Sequence, residues 1–582
     1  MSTEQNLTGK PSIDRPWMKY YPDMMLKMIS LPECTIMEYL KQHCPGQDVV
    51  AMHYYGEDIT WKTVFEQSEK TARALKALGF GVGDQIPVFL RLVPEFIFLL
   101  LGAEKIGASL LCRDNTIEEN VEAAKKADAK AIIAQDFLSQ KELNAFLNGS
   151  GVEKAVLLSP THYGDRNAMP SHIQACLDSC YPSKCACGSA VMSWEEFIAQ
   201  GERYTGEVDA PIDIDRPLFR AYTSGSTGPS KQVIHSANTM LGIICQMNFY
   251  GGAEDFRPSW MVTCLPPALV AVIVSMVLLP MSSNKLLILD PFCYDTDVDL
   301  ELMRYKANNW PIIPRFMEVI LRSSRIPEDY DLSHLLAAGA GCEAFNNSQM
   351  KRAQKYLRDH NCNVRFTTGY GCSEAGSNLT LPMAPKPILN GNVGVAMPLG
   401  AMSIFKPGTQ EELTYNQLGE ICKTGPGNML GYDNPKATAK TLQVHEDGNT
   451  WLHTGDIGYM DEDGVIYSLG RGDAKRYGGG ELAILPMENR IADAEIKGID
   501  DEFFVLIEDD EHKGYFIPYL YVVLTEGVTV EDIRSQVNEC LDPHMQPADI
   551  IALEERPFFH FKTNRLGLAR ELKAERNGSL AV

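Results

Sequence analysis

From Thr60 to Ala134 the chain alternates two hydrophobic rhythms. Thr60–Ala77 (TWKTVFEQSEKTARALKA) spaces its apolar residues as an amphipathic helix does and closes at Gly79. Gln85–Leu90 follows as a short β-like run, then Pro94–Ile106 as helix and Gly107–Leu111 as strand. Asn120–Ala127 again reads as helix, and Ala129–Ala134 as strand. Helices alternating with short apolar strands predict a largely parallel sheet covered on both faces. The longest mainly apolar stretch, Met261–Ser282, contains Pro266, Pro267 and Pro280. Those prolines would interrupt a membrane-spanning helix, so a buried strand, a turn and a core helix are expected there. Between Gly400 and Gly425, apolar alternation punctuated by Gly and Pro predicts a smaller β-rich subdomain. Beyond Gly470, Phe503–Glu508 and Gly514–Leu524 read as strands and Val530–Leu541 as an amphipathic helix. The expected fold class is α/β. Residues 1–470 form a large N-terminal domain of layered α/β subdomains plus the β-rich one, and residues 471–582 form a small α+β C-terminal domain.

Composition narrows the function classes. A chain of 582 residues, 45% hydrophobic and 22% charged, can build several cores and carries no sign of disorder. Its 53 basic and 76 acidic residues leave a net charge of −23, which argues against nucleic acid or an anionic membrane as the main partner. Bound phosphates remain compatible, because loops, dipoles and Mg²⁺ act locally. The polar start MSTEQNLTGKPSIDRPW lacks the apolar core of a secretory signal. Fifteen cysteines fit a reducing compartment. The expectation is a soluble cytoplasmic protein with no transmembrane segment. Cys176, Cys180, Cys185 and Cys187 form either a zinc site or an ordinary cysteine-rich surface loop, and the absence of a paired C-x₂-C spacing favours the loop.

The most informative segment is Ala221-Tyr-Thr-Ser-Gly-Ser-Thr-Gly-Pro-Ser-Lys231. From Thr223 onward, nine residues supply five hydroxyls, two glycines and one lysine. Glycine lets backbone approach phosphate, hydroxyls and N–H groups donate to its oxygens, and lysine adds charge. This is not a Walker loop, since Pro229 and Ser230 separate Gly228 from the lysine. As bare composition it also reads as a mobile Ser/Gly linker, although the apolar Val233-Ile234 flank argues against that. YTSGSTGPSK resembles the phosphate-loop signature of the adenylate-forming superfamily, which includes acyl- and aryl-CoA synthetases, peptide-synthetase adenylation domains and firefly luciferases. The resemblance implies that Thr223, Ser224, Gly225, Ser226, Thr227, Gly228 and Lys231 hold the ATP phosphates.

Further segments resemble that superfamily in its order, over roughly residues 45–575. Gly339-Ala-Gly341-Cys342-Glu343 resembles the turn beside the adenine. Thr368-Gly369-Tyr370-Gly371-Cys-Ser373-Glu374 resembles the motif in which the tyrosine stacks on adenine and the glutamate helps bind Mg²⁺. In it Thr368 and Ser373 stand for Asn/Gln and Thr, keeping a hydrogen-bonding oxygen. Gly391–Gly394 and Met429–Thr438 match further family turns. Trp451-Leu-His-Thr-Gly-Asp456 implies a ribose-binding carboxylate, and Gly470-Arg471-Gly-Asp473 a ribose-side arginine followed by an interdomain hinge. Gly478, Gly479 and Gly480 either line the path of the thiol or form a flexible loop without chemistry.

What the resemblance implies is an AMP-forming acyl-CoA synthetase of fatty or aromatic acid metabolism. It uses ATP, Mg²⁺ and CoA and swings a mobile C-terminal domain between half-reactions. CoA is favoured over a carrier protein because no stretch of the sequence reads as a carrier domain; a non-catalytic binder of nucleotide or acyl-adenylate is the reading from another class. The acyl pocket is expected from Met240, Ile244 and Met247, from Pro267–Ile273 and from the stretch after Glu374. Their apolar character favours a medium-sized hydrophobic or aromatic acid. Three departures stand out. Leu265-Pro-Pro-Ala-Leu269 lacks the family's aromatic–His pair, and the spacing from Gly480 to Pro486 is one residue long. The C-terminal lysine motif is worn: Gly567 stands where its lysine belongs. Lys562 is the first candidate to replace that catalytic lysine and Arg565 the second, and either also reads as ordinary surface charge.

Overall fold

The computed structural model describes residues 7–28, 30–114, 116–180, 188–223, 230–248, 256–472, 474–559 and 561–576. Where one parallel sheet was expected, two are found. An eight-stranded sheet runs Gly431–Tyr432, Gln232–Ser236, Pro217–Tyr222, Ser109–Cys112, Gln85–Phe89, Ala131–Gln135, Lys154–Leu158, Val191–Ser193. Its last six strands are parallel. A seven-stranded sheet runs Phe366–Thr368, Ala337–Ala340, Asn309–Ile312, Ser259–Val262, Leu286–Leu289, Val50–Tyr54, Glu57–Thr60, and only the last pairing is antiparallel.

The helix Pro94–Ile106 (PEFIFLLLGAEKI) is buried on almost every side, as its continuous apolar run requires. It crosses the helix Trp61–Ala77 at Gly102, where a Cβ would lie 3.1 Å from the Ala72 amide nitrogen and 3.2 Å from the Ser68 carbonyl oxygen. Thr60 caps Trp61–Ala77 by accepting from the Thr63 amide, so the expected helix starts one residue later than the pattern suggested. Met261–Ser282 resolves into the end of a strand, a turn, a π-helical segment Val272–Leu278 and one α-turn, Leu279–Ser282. Among the described residues no helix is long and apolar enough to cross a membrane.

The β-rich subdomain is antiparallel, in the order Thr380–Leu381, Asn392–Ala396, Ile466–Arg471, Thr450–Met460, Gly419–Thr424, Ala401–Phe405. From Ala474 the chain builds its own apolar cluster (Leu482, Met487, Phe504, Leu520, Ile533) around the sheet Ile499–Glu508, Phe516–Leu524, Ile550–Leu553. A hairpin, Phe558–Phe559 with Lys562–Thr563, precedes the closing helix Arg565–Arg576.

One buried charge lies where the sequence reads as core helix. Glu95 is 1% exposed and its Oε1 has no hydrogen-bond partner among the described residues, so burial raises its carboxyl to about 8. A carboxyl raised in the fold contributes stability that is complete below its unfolded pKa and is lost as pH climbs through the folded one. Glu95→Gln stays neutral throughout. The variant is expected to unfold at nearly the wild-type temperature at pH 5 and at a clearly higher temperature at pH 9. An equal difference at both pH values would contradict this.

Candidate active site

The phosphate-loop stem is closed by backbone. The Thr223 amide donates to the Lys231 carbonyl (2.9 Å), and the Lys231 amide donates to Thr223 Oγ1 (3.1 Å). Ser230 Oγ donates to the Thr223 carbonyl at 2.6 Å. Ser224, Gly225, Ser226, Thr227 and Gly228 lie outside the described residues, as do Asp473, Cys185 and Cys187. The Lys231 ammonium sits 4.8 Å from the centroid of the Tyr432 ring, and Tyr432 in turn donates to Glu374 Oε1 at 2.6 Å. Lysine, tyrosine and glutamate from three separate segments therefore meet at one place.

A buried histidine, His235, fixes the backbone that presents Glu374. Its Nε2–H donates to the Ser373 carbonyl at 2.7 Å, and burial lowers its pKa to about 4, so the ring is neutral near pH 7. Sequence reasoning missed His235 and Tyr432. The signal was their place in apolar surroundings next to the loop and the Met429–Thr438 match.

Asp456 and Arg471 are direct cross-strand partners in the ladder between Thr450–Met460 and Ile466–Arg471. Arg471 Nε lies 3.0 Å from Asp456 Oδ1, and the Tyr370 hydroxyl donates to Asp456 Oδ2 at 2.7 Å. Burial pushes the Asp456 carboxyl up against the opposing pull of Arg471 and Tyr370. Lys562 also pulls the same carboxyl down and Glu374 pushes it up. Gly455 takes φ +74°, and a Cβ there would lie 2.4 Å from Arg471 Nη1.

The remaining expected residues divide into four groups. Gly339 pairs with Thr367 in the parallel sheet, the Gly369 amide donates to the Ala340 carbonyl (2.7 Å), and Thr368 Oγ1 donates to the Asn392 carbonyl (3.2 Å). Gly341 faces open space, and Cys342, exposed, holds φ +75°, a strained conformation for a residue with a side chain. Glu343 is engaged by the C-terminal segment: its Oε2 accepts from the Thr563 amide (2.9 Å) and Thr563 Oγ1 (3.1 Å), and its Oε1 pairs with Arg565. Gly479 and Gly480 pass against His544, where added Cβ atoms would sit 2.7 and 2.8 Å away, while Gly478 has φ +67°.

The geometry also separates the two candidate cations. Arg565 is fully committed, to Glu343, to Glu488 Oε1 (2.9 Å) and to the Phe504 carbonyl (3.1 Å). Lys562, one residue from the anchored Thr563, makes no side-chain hydrogen bond or ion pair among the described residues.

Comparison with known proteins bears on this arrangement. The family profile described as "AMP-binding enzyme" matches residues 41–433. A 4-coumarate–CoA ligase of Oryza sativa subsp. japonica is 27% identical over 501 residues, covering 83% of this chain and 81% of its own length. A 4-coumarate–CoA ligase of Petroselinum crispum is 28% identical over 506 residues, covering 83% of each. Among solved structures, the anthranilate CoA ligase AuaEII in complex with anthranoyl-AMP superposes with a TM-score of 0.76 at 17% identity, covering 94% of this chain and 99% of that one. ATP-bound MatB from Rhodopseudomonas palustris gives a TM-score of 0.74 at 19% identity, over 93% and 99%.

Proposed function

The chain belongs to the AMP-binding enzyme family, and from that premise we propose that it is an ATP-dependent acid–thiol ligase. The carboxylate of an acid attacks the α-phosphorus of ATP, the bond to pyrophosphate breaks, and an acyl-adenylate remains. The thiol of CoA then attacks the acyl carbon and AMP leaves. The observation that carries this reading is convergence: Tyr370 and Arg471, from distant segments, meet on Asp456, while Lys231, Tyr432 and Glu374 meet beside the 223–231 loop.

Roles follow from position. Asp456 accepts from the ribose hydroxyls, and Tyr370 provides a ring against the adenine. Thr223 and Lys231 hold the phosphates, and Lys562 stabilises charge on the reacting phosphoryl oxygens. Such transfers depend on positioning and electrostatics more than on covalent help from the protein. Glu374 keeps one carboxylate oxygen without a hydrogen-bond partner among the described residues, a donor that suits Mg²⁺, which takes one or two carboxylates alongside substrate phosphates. Mg²⁺ there would neutralise phosphate charge. The CoA ligases among the relatives support CoA as the thiol. The segment from Ala474 has its own core, which supports a C-terminal domain that moves about a hinge near Asp473, with Gly478–Gly480 on the thiol's path. A cytoplasmic location belongs to the same proposal, resting on the fifteen cysteines.

Pyrophosphate–ATP exchange over a panel of carboxylic acids tests the reading. Exchange with at least one acid is expected, followed by CoA-dependent thioester formation. ATP binding without any exchange would favour a non-catalytic binder, and exchange without turnover of CoA would point to a carrier protein. Asp456→Ala and Glu374→Ala are each expected to lower exchange at least about 10²-fold while leaving the fold intact. Wild-type rates in either would remove its assigned role.

A further inference from the structure

The π-helical segment Val272–Leu278 reads VIVSMVL, apolar except for Ser275. π-Helical turns are rare and recur at functional sites. This one packs against both the helix Ala237–Met247 and the strand Ser377–Asn378, so the three elements expected to wall the acyl pocket converge here.

At their meeting point lies a polar group that the apolar expectation did not include. Ser275 is 8% exposed, and its hydroxyl lies 2.7 Å from Ser377 Oγ and 3.0 Å from Asn378 Oδ1. Ser377 Oγ lies 2.8 Å from the same amide oxygen. A serine hydroxyl has one proton, so Ser275 donates to Ser377 or Asn378 while Ser377 donates to Asn378. Either way the carboxamide oxygen is held by serine and the amide nitrogen is turned away from them. That nitrogen, Asn378 Nδ2, donates to no protein atom among the described residues. It points over Gly369, where a Cβ would lie 3.4 Å from it, beside the adenine-facing Tyr370.

Two backbone features preserve this arrangement. Ser377 adopts φ +138°, a region that residues with side chains rarely occupy. Gly371, the cross-strand partner of Asn378, could not carry a Cβ, which would fall 1.8 Å from the Ser377 carbonyl oxygen. A strained serine and a compulsory glycine hold a half-buried amide donor in one direction.

We propose that Asn378 is a specificity residue that donates to an oxygen on the acyl group, so that this enzyme takes acids bearing a hydroxyl, keto or methoxy oxygen in preference to their carbon-only analogues. Ser275 and Ser377 are its positioning residues. The inference rests on the adenylation reading above. An amide donor left unpaired by a carbon-only acid costs affinity for that acid, which is how a polar site rejects an analogue lacking the group.

The test is pyrophosphate exchange with matched pairs: benzoate with its hydroxy and methoxy derivatives, cinnamate with 4-hydroxycinnamate, and octanoate with its 3-hydroxy and 3-oxo forms. The wild-type enzyme is expected to prefer an oxygen-bearing member by about tenfold or more in kcat/KM. Asn378→Val should bring that ratio to one or below, mainly by losing the oxygen-bearing acid. Asn378→Asp keeps the shape but removes the donor and should lose the same preference. Ser275→Ala should weaken the ratio with little change for the carbon-only acid. A wild-type preference for carbon-only acids, or an equal fall for both members of a pair in the Asn378 variants, overturns the inference and leaves adenylation standing. Absence of exchange with every acid overturns the adenylation reading and this inference with it.

Discussion

Lys562→Ala is expected to slow acyl-adenylate formation by about 10²–10³-fold, the loss typical of removing one preorganised charge from a reacting centre. The reason is the division of labour in the hairpin Phe558–Thr563. Thr563 anchors it to Glu343, while Lys562 makes no ion pair among the described residues and its charge favours the ionised Asp456. The substitution removes no ion pair among the described residues, so stability should stay within about 0.5 kcal/mol of wild type. Thioester formation from acyl-adenylate supplied ready-made should change far less than the first half-reaction. Arg565→Ala should behave differently, because Arg565 bridges Glu343 to Glu488 and its loss strands two carboxylates. Single-turnover measurements of each half-reaction distinguish the two variants. Wild-type adenylation in Lys562→Ala, with a selective loss in Arg565→Ala, would assign the catalytic charge to the arginine.

Arg556→Ala is expected to destabilise the C-terminal segment by about 3–5 kcal/mol, the usual result of removing one partner from a buried ion pair. Arg556 and Asp501 are 5% and 1% exposed and form a fork, Nε and Nη2 each 2.7 Å from a carboxylate oxygen. Arg556 also donates to the Glu502 carbonyl (2.8 Å) and to Thr563 Oγ1 (3.1 Å), joining the edge strand Ile499–Glu508 to the Lys562 hairpin. Burial would raise the Asp501 carboxyl, but Arg556 outweighs it and holds the group below its ordinary value. A depressed carboxylate contributes stability that is present above its unfolded pKa and is lost as pH falls through the folded one. Hydrogen exchange is the direct probe. Ile499–Glu508 and Phe516–Leu524 should lose protection in the variant at pH 7, and unchanged protection there would show that the pair contributes little.

Local rhythm carried much of the fold into the sequence. Pro94–Ile106 matches its expected bounds, and Ile499–Glu508, Phe516–Leu524 and Val530–Glu539 lie close to theirs, because each is set by nearby spacing and turn residues. The second parallel sheet was not legible, since its strands come from segments as distant as Val50–Tyr54 and Phe366–Thr368 and nothing local records the pairing. The π-helical form of Val272–Leu278 was hidden because an apolar run looks alike in α and π geometry.

The site was readable where a motif sits on one ladder, as with Asp456 and Arg471, whose strands neighbour each other. It was unreadable where contacts span the chain. Glu343 looks like an adenine-side residue in its motif, yet its carboxylate meets Thr563 and Arg565, more than 200 positions away. Buried titratable groups were missed for a related reason. Glu95, His235 and Lys423 read as ordinary polar positions, and only the fold shows what encloses them. Lys423, its pKa lowered by burial to about 7, is held by the Pro426 carbonyl and Asn428 behind the Cys372–Glu374 segment.

The central claim is that the acid is activated on the α-phosphorus of ATP. Turnover of an acid labelled with ¹⁸O in both carboxylate oxygens tests it directly. The account predicts that one ¹⁸O appears in the phosphate of AMP, with the other retained in the thioester carbonyl. Label in inorganic phosphate, accompanied by ADP, would mean attack on the γ-phosphorus and would contradict it.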